Sequence, residues 1–137
     1  DIWIGSVRHV MPVLQDDDVS YLTDLADDLS KSIEAHDMAG FGTALRGMAI
    51  GFARIEGNAA RVSVIEVLGP QIRRFGQHSR DAFDWDASAS AVAGIREAIE
   101  QRDESTTSAV LVALFDEVLP AAIDRAAAQE RTPVYAD

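Results

Sequence analysis

Apolar residues recur every three or four positions along almost the whole chain, and this spacing restricts the fold more than any other feature. One such stripe consists of Leu22, Leu25, Leu29 and Ile33. The strict alternation of apolar and polar residues that marks a half-buried strand is nearly absent. The sequence therefore predicts an all-α fold, a single antiparallel bundle of about six helices.

Breaks in the apolar pattern set the expected ends of these helices. We predict helices over residues 2–14, 18–36, 38–55, 59–77, 86–101 and 103–131. The acidic run at 16–18 is expected to be a connecting loop that caps the second helix, because acidic groups interact favourably with a helix N-terminus. Residues 132–137 are expected to form a tail. Residues 1–137 should form one domain.

Proline, glycine and asparagine add detail to this prediction. Pro12 should shorten the first helix, and Pro70 and Pro120 should bend the fourth and the last, because proline lacks the backbone donor that a helix needs. Gly57 suits the left-handed position that ends a helix, and Asn58 suits the N-cap of the next.

Composition and charge exclude several classes of function. The chain has 12 basic and 23 acidic residues and a formal net charge of −11. Direct binding of nucleic acid is disfavoured, because phosphate contacts require a basic surface. With no cysteine, the chain cannot form disulfides or thiolate metal sites. No apolar run approaches the roughly 20 residues that cross a bilayer, so we expect a cytoplasmic protein without a membrane partner.

No catalytic motif is visible. His9, His36 and His78 are not spaced as metal ligands, and nucleophile-elbow, phosphate-loop and dinucleotide-binding patterns are missing. We therefore expect no enzymatic activity and no cofactor.

Two segments match a known pattern. Over residues 37–58 the matching residues are Asp37, Phe41, Gly57 and Asn58, and over residues 92–103 they are Ile95, Ala98, Ile99 and Asp103. Both segments resemble the FCD domain, the all-helical effector-binding half of FadR-type GntR transcription regulators. The resemblance covers about residues 19–125 and is poor over 1–18.

The chain departs from this family at the metal-binding positions. Where the family carries its usual Asp and His ligands, this sequence has Leu45, Ala49, Val92 and Leu114. A divalent cation requires nitrogen, oxygen or thiolate ligands, which alkyl side chains do not provide. The resemblance thus implies a member without a bound metal, with these four side chains lining an unusually apolar effector pocket.

Three polar residues are candidates for contact with an effector. Arg73 lies at the border of the fourth helix's apolar stripe, and in FCD domains an arginine from this region can hold a carboxylate effector. The planar guanidinium suits that task because it binds a carboxylate through two parallel hydrogen bonds. Alternatively, Arg73 covers apolar surface or pairs with an acidic residue. Gln71 and His78 are the weaker candidates, with simple surface exposure as their alternative.

The third predicted helix contains two glycines one turn apart, Gly47 and Gly51. An interior glycine costs about 1 kcal/mol relative to alanine. This cost must be offset either by close approach of another helix or by room for a bound molecule. For the strip formed by Gly47 and Gly51, close packing is the more ordinary outcome. For the domain as a whole, we expect an open pocket.

The resemblance implies a ligand sensor in which an effector shifts the relative orientation of two DNA-binding halves. Those halves would lie outside this chain. The broad apolar face of the last predicted helix also favours a homodimer. Two alternatives stay open, namely a helical dimerisation module whose pocket has collapsed and the ligand domain of a TetR-type regulator.

Overall fold

Helices are the regular elements throughout the part of the chain that the structure describes. This computed structural model covers residues 5–67 and 83–114, together with residues 124, 127 and 128. The elements are α1 (Gly5–Val10), a 3-10 turn (Met11–Val13), α2 (Asp16–Glu34), α3 (Met38–Glu56), α4 (described over 59–67), α5 (Trp85–Val92), α6 (Ile95–Glu100) and α7 (Glu104–Val112). The prediction of an all-α fold is confirmed.

Aspartate side chains mark the beginnings of three helices. Asp37, Asp84 and Asp103 each accept a hydrogen bond from the backbone N–H three residues on, at 3.0, 2.8 and 3.1 Å, where α3, α5 and α7 begin. Such a cap satisfies a donor that the first helical turn otherwise leaves without a partner. The starts of these helices are therefore encoded locally.

The predicted boundary between the third and fourth helices is confirmed. Gly57 has φ 78° and ψ 22°, the left-handed conformation, directly after α3. The Asn58 Oδ1 accepts the backbone N–H of Arg61 at 2.9 Å, so Asn58 caps α4. Pro12 lies in the 3-10 turn that follows α1, as its missing donor suggested. Pro70, Pro120 and the tail at 132–137 lie outside the described residues.

Two predicted boundaries were wrong. The acidic run at 16–18 is not a loop but the first turn of α2, where carboxylates interact favourably with the helix dipole and Asp18 accepts the Gln15 N–H at 3.0 Å. The helix predicted over 86–101 is two helices. The break lies at Ala93 and Gly94, where Gly94 has φ 82°, a conformation that glycine adopts without steric cost.

The helices pack around one apolar core. The long helices α2 and α3 contact each other most extensively, α2 also contacts α5 and α6, α1 contacts α3 and α7, and α6 contacts α7. The largest fully buried side chains include Phe41, Phe52, Met11, Leu22, Leu29, Met48, Ile95, Ile99 and Leu111. Removal of such side chains from water is the main favourable term in folding. None of the helices within the described ranges is long and apolar enough to cross a membrane.

Candidate effector-binding site

The four predicted ligand positions all lie in this core. Leu45 and Ala49 lie one turn apart on α3 with 2% and 4% of their surface exposed. Val92 is the last residue of α5, at 6%, and Leu114, just after α7, is fully buried. All four belong to the same cluster of buried side chains. The structure thus places residues from three separate segments in one interior.

This interior does not fit a metal ion. The four side chains offer only alkyl groups, and divalent cations are held by nitrogen, oxygen or sulfur. Across the described residues, no group of three or more His, Cys, Asp or Glu side chains is placed to hold one elsewhere. The chemistry available at the four positions is burial of hydrocarbon.

The glycine strip of α3 faces α2 at close range. A Cβ atom added to Gly51 would lie 2.9 Å from Tyr21 Cε1 and 3.4 Å from Leu22 Cδ2, and one added to Gly47 would lie 3.2 Å from Leu25 Cδ2. These distances are at or below ordinary van der Waals contact, so the strip permits close helix packing. Close packing, the more ordinary of the two expected outcomes for Gly47 and Gly51, is therefore what the structure shows.

Half of the residues that match the family pattern shape the backbone, and the other half lie in the core. Asp37 and Asp103 are N-caps, Gly57 ends a helix, and Asn58 begins the next. The other matching residues are buried in the core, namely Phe41, Ile95, Ala98 and Ile99. None of these roles requires a metal. The pattern can therefore persist in a chain whose ligand positions have become apolar.

An aromatic cluster covers one end of the core. The Phe41 ring meets Phe83 edge to face with centroids 5.0 Å apart, and Phe83 meets Trp85 in the same manner at 4.6 Å. On the exposed side, the His36 ring stacks on Trp85 at 4.9 Å with an interplanar angle of 2°. Such pairs contribute about 0.5–1.5 kcal/mol beyond the area they bury. The stack also accompanies the left-handed backbone of His36, φ 52°, at the end of α2.

A polar cluster that the sequence pattern did not reveal joins α1 to the junction of α3 and α4. Glu56 accepts hydrogen bonds from His9 Nδ1 at 2.8 Å, Asn58 Nδ2 at 3.0 Å and Ser6 Oγ at 3.3 Å. Arg61 donates to Ser6 Oγ at 2.7 Å and lies 4.0 Å from Glu56. The hydrogen bond from His9, followed by that from Asn58, holds the pKa of Glu56 below its ordinary value. Because the polar groups of this cluster hydrogen-bond to one another, the cluster holds α1 against the end of α3 and the start of α4.

Two solvent-open grooves lie along α2. One, of about 570 Å³, runs between α2 and the first half of α3 and is lined by Leu25, Asp28, Lys31, Asp37, Thr43 and Ala44 among others. The other, of about 450 Å³, lies between α2 and the junction of α5 and α6, where Val92 and Gly94 line it. Val92 thus connects the interior with a groove.

The polar candidates Gln71, Arg73 and His78 lie outside the described residues. Thr107 lies on the same helical stripe as Leu111 and Leu114. It is a polar residue whose role the sequence pattern did not reveal. It is fully buried, and its Oγ1 has no hydrogen-bond partner within the described part of the chain. A threonine in a helical apolar stripe is spaced like any core residue, so only the structure reveals that its hydroxyl is buried and unpaired.

Fold and site together define an all-α domain in whose interior the four expected ligand positions carry only hydrocarbon side chains. The family model described as FCD domain matches residues 4–117. Neither the curated proteins nor the solved structures give a significant match. Because the family match covers most of the chain, the chain belongs to the FCD family, the effector-binding regulatory domain of GntR-type transcription regulators. Such a domain is regulatory and not typically catalytic, and the alternative of a TetR-type domain falls.

Proposed function

We propose that this domain senses a small organic molecule without a bound metal and passes the signal to a DNA-binding domain outside this chain. The observation that carries the proposal is the burial of Leu45, Ala49, Val92 and Leu114 in one apolar interior. In an FCD domain these are the positions at which the effector site is built. Residues 1–137 would act as one sensing domain in the cytoplasm.

The apolar lining defines the class of effector. Burial of hydrocarbon contributes about 25 cal/mol per Å² of apolar surface, so a molecule rich in hydrocarbon gains most from this interior. An effector can shift the regulator between two orientations only by as much as its affinities for them differ. We expect a compact hydrocarbon-rich compound with one acidic group.

We also propose that the sensing unit is a homodimer. The FCD domain acts in regulators that orient two DNA-binding halves, and a symmetric pair of sensing domains supplies the two-fold relation. Sedimentation at tens of micromolar concentration should show a dimer. A strict monomer in a chain that includes the DNA-binding domain would remove this part of the proposal.

The absence of a metal is tested by restoring the family's ligands. The quadruple variant L45D/A49H/V92H/L114H should retain nickel or zinc through dialysis, and the unaltered protein should not. The matched control L45D/A49H supplies two ligands on one helix face and should bind the cation far more weakly. Circular dichroism with nickel present checks that the buried polar groups leave the helices formed. Stoichiometric metal in the unaltered protein would contradict the proposal that the domain binds no metal. Equal metal affinity of the two variants would contradict the assignment of these four positions to one site.

Effector binding is tested with a library of small carboxylates, amides and hydrocarbons, read by thermal shift. Ala49→Leu fills the centre of the interior and should abolish stabilisation by every compound that binds there. The control Ala60→Leu adds the same group on the exposed surface of α4 and should leave binding unchanged. If compounds stabilise both variants equally, they bind elsewhere.

A second candidate, a dimerisation module that binds no effector, is favoured by one observation. Leu45 and Leu114 are already almost completely buried, and α2 occupies the space beside Gly47 and Gly51. In that case no compound of the library would raise the melting temperature, and Ala49→Leu would overpack the core at a cost of about 1–3 kcal/mol.

A further inference from the structure

Within the part of the chain that the structure describes, Arg46 is the arginine that has no acidic side chain within 4.0 Å. It lies on α3 directly after Leu45 and is partly buried. Among the residues that the structure describes, no hydrogen-bond or ion-pair partner is found for its guanidinium. Every other arginine in the described ranges has an acidic side chain within 4.0 Å, the pairs being Arg8–Glu104, Arg54–Glu66, Arg61–Glu56, Arg96–Asp27 and Arg102–Asp16.

This lack of a partner is unusual in so acidic a chain. With 23 acidic residues against 12 basic ones, a guanidinium has many carboxylates available. A partly buried charge without a partner has lost part of its hydration and gained nothing in return. Its position is therefore suited to an anion that the described part of the protein does not supply.

Space for such an anion lies beside Arg46. Gly42 is one turn earlier on the same side of α3, and a Cβ atom added there would have no other heavy atom within 4 Å. One turn later, Ile50 is buried with 5% of its surface exposed. The position of Arg46 on α3 thus lies between open space at Gly42 and the buried side chain of Ile50.

The same position borders the apolar interior. With about 100° of rotation per residue, Arg46 points roughly 100° away from Leu45 and roughly 60° away from Ala49 around the helix axis. A molecule whose hydrocarbon contacts Ala49 can therefore present a polar end toward Arg46. The helix itself sets this separation.

We infer that Arg46 is the anchor for the carboxylate of the effector. This inference rests on the proposed function and assigns its acidic subsite to α3. A planar guanidinium binds a carboxylate through two parallel hydrogen bonds. Arg46 can do so without first breaking an internal ion pair, which Arg61 or Arg102 would have to do. The effector is then a monocarboxylate with a hydrocarbon body.

Hexanoate and its uncharged counterpart hexanamide are the probes that test this. Their dissociation constants are measured by NMR titration for the unaltered protein, Arg46→Gln, Arg46→Lys and the control Arg54→Gln. Arg54 lies on the same helix, is 63% exposed and pairs with Glu66 at 3.7 Å. Melting temperature without ligand is recorded for each variant.

Arg46→Gln should weaken hexanoate binding roughly ten- to hundredfold, the loss expected for hydrogen bonds to a charged group. The hexanoate affinity of Arg46→Lys should lie between those of the unaltered protein and Arg46→Gln, because lysine keeps the charge but lacks the planar guanidinium. Hexanamide affinity should be the same in all four proteins, and Arg54→Gln should bind hexanoate normally. The melting temperature of Arg46→Gln should not fall, because no ion pair is broken.

Unchanged hexanoate affinity in Arg46→Gln would overturn the inference, as would equal affinity of the unaltered protein for hexanoate and hexanamide. In both cases binding of hexanamide would leave the proposed function standing. A fall in melting temperature of Arg46→Gln with no change in hexanoate affinity would assign the side chain to covering apolar surface instead. If neither probe binds at millimolar concentration, the inference is overturned, whereas the proposed function is decided separately by the library of carboxylates, amides and hydrocarbons.

Discussion

Replacement of Gly51 by leucine tests the packing of α2 against α3 most directly. The first added carbon would lie 2.9 Å from Tyr21 Cε1, and the remaining carbons must enter the space now filled by Leu22 and Leu25. Overpacking of this kind costs about 1–3 kcal/mol. The loss of a helical glycine returns about 0.8–1 kcal/mol. We therefore expect Gly51→Leu to lower the free energy of unfolding by up to about 2 kcal/mol.

Gly42→Leu is the matched control, because it makes the same change on the same helix where a Cβ atom meets nothing within 4 Å. Its free energy of unfolding should stay unchanged or rise by up to about 1 kcal/mol. Urea denaturation of both variants measures the difference. Tyr21→Ala in the Gly51→Leu background should recover part of the loss, since Tyr21 is the nearest obstacle and is 45% exposed. Equal stability of the two leucine variants would refute the close packing.

Two further predictions concern polar groups in the described part of the chain. Thr107→Val keeps the shape of the side chain and removes a buried hydroxyl without a partner, so it should raise the melting temperature; a fall would mean that the hydroxyl has a partner in solution. The pKa of Glu56 is lowered in the folded state, chiefly by the hydrogen bond from His9. The ionised carboxylate therefore stabilises the fold above its unfolded pKa, and this stabilisation is lost as pH falls through the folded pKa. Glu56→Gln should therefore be less stable than the unaltered protein at neutral pH and lose that difference on acidification, and a pH-independent difference in thermal melts would exclude this linkage.

The candidate site illustrates how far sequence reasoning extends. The loss of metal ligands at Leu45, Ala49, Val92 and Leu114 could be predicted, because the identity of a side chain determines whether it can donate electrons to a metal. Their shared location was implied by the resemblance to the FCD family, and their burial is seen in the structure. The unpaired state of Arg46 could not be predicted, because it depends on which of many carboxylates come within reach.

By itself the sequence determined the helices, most of their ends and the apolar character of the interior, since caps, glycine turns and apolar spacing act within a few residues along the chain. The tertiary structure alone decided the relations between distant residues. Ser6 and Glu56 are 50 positions apart, and nothing local reports that α1 meets the end of α3. The strip at Gly47 and Gly51 was open to two interpretations until α2 was placed against it. A glycine in the sequence indicates only that a side chain is missing at that point of the helix surface. The neighbouring helix determines whether the space beside it is filled.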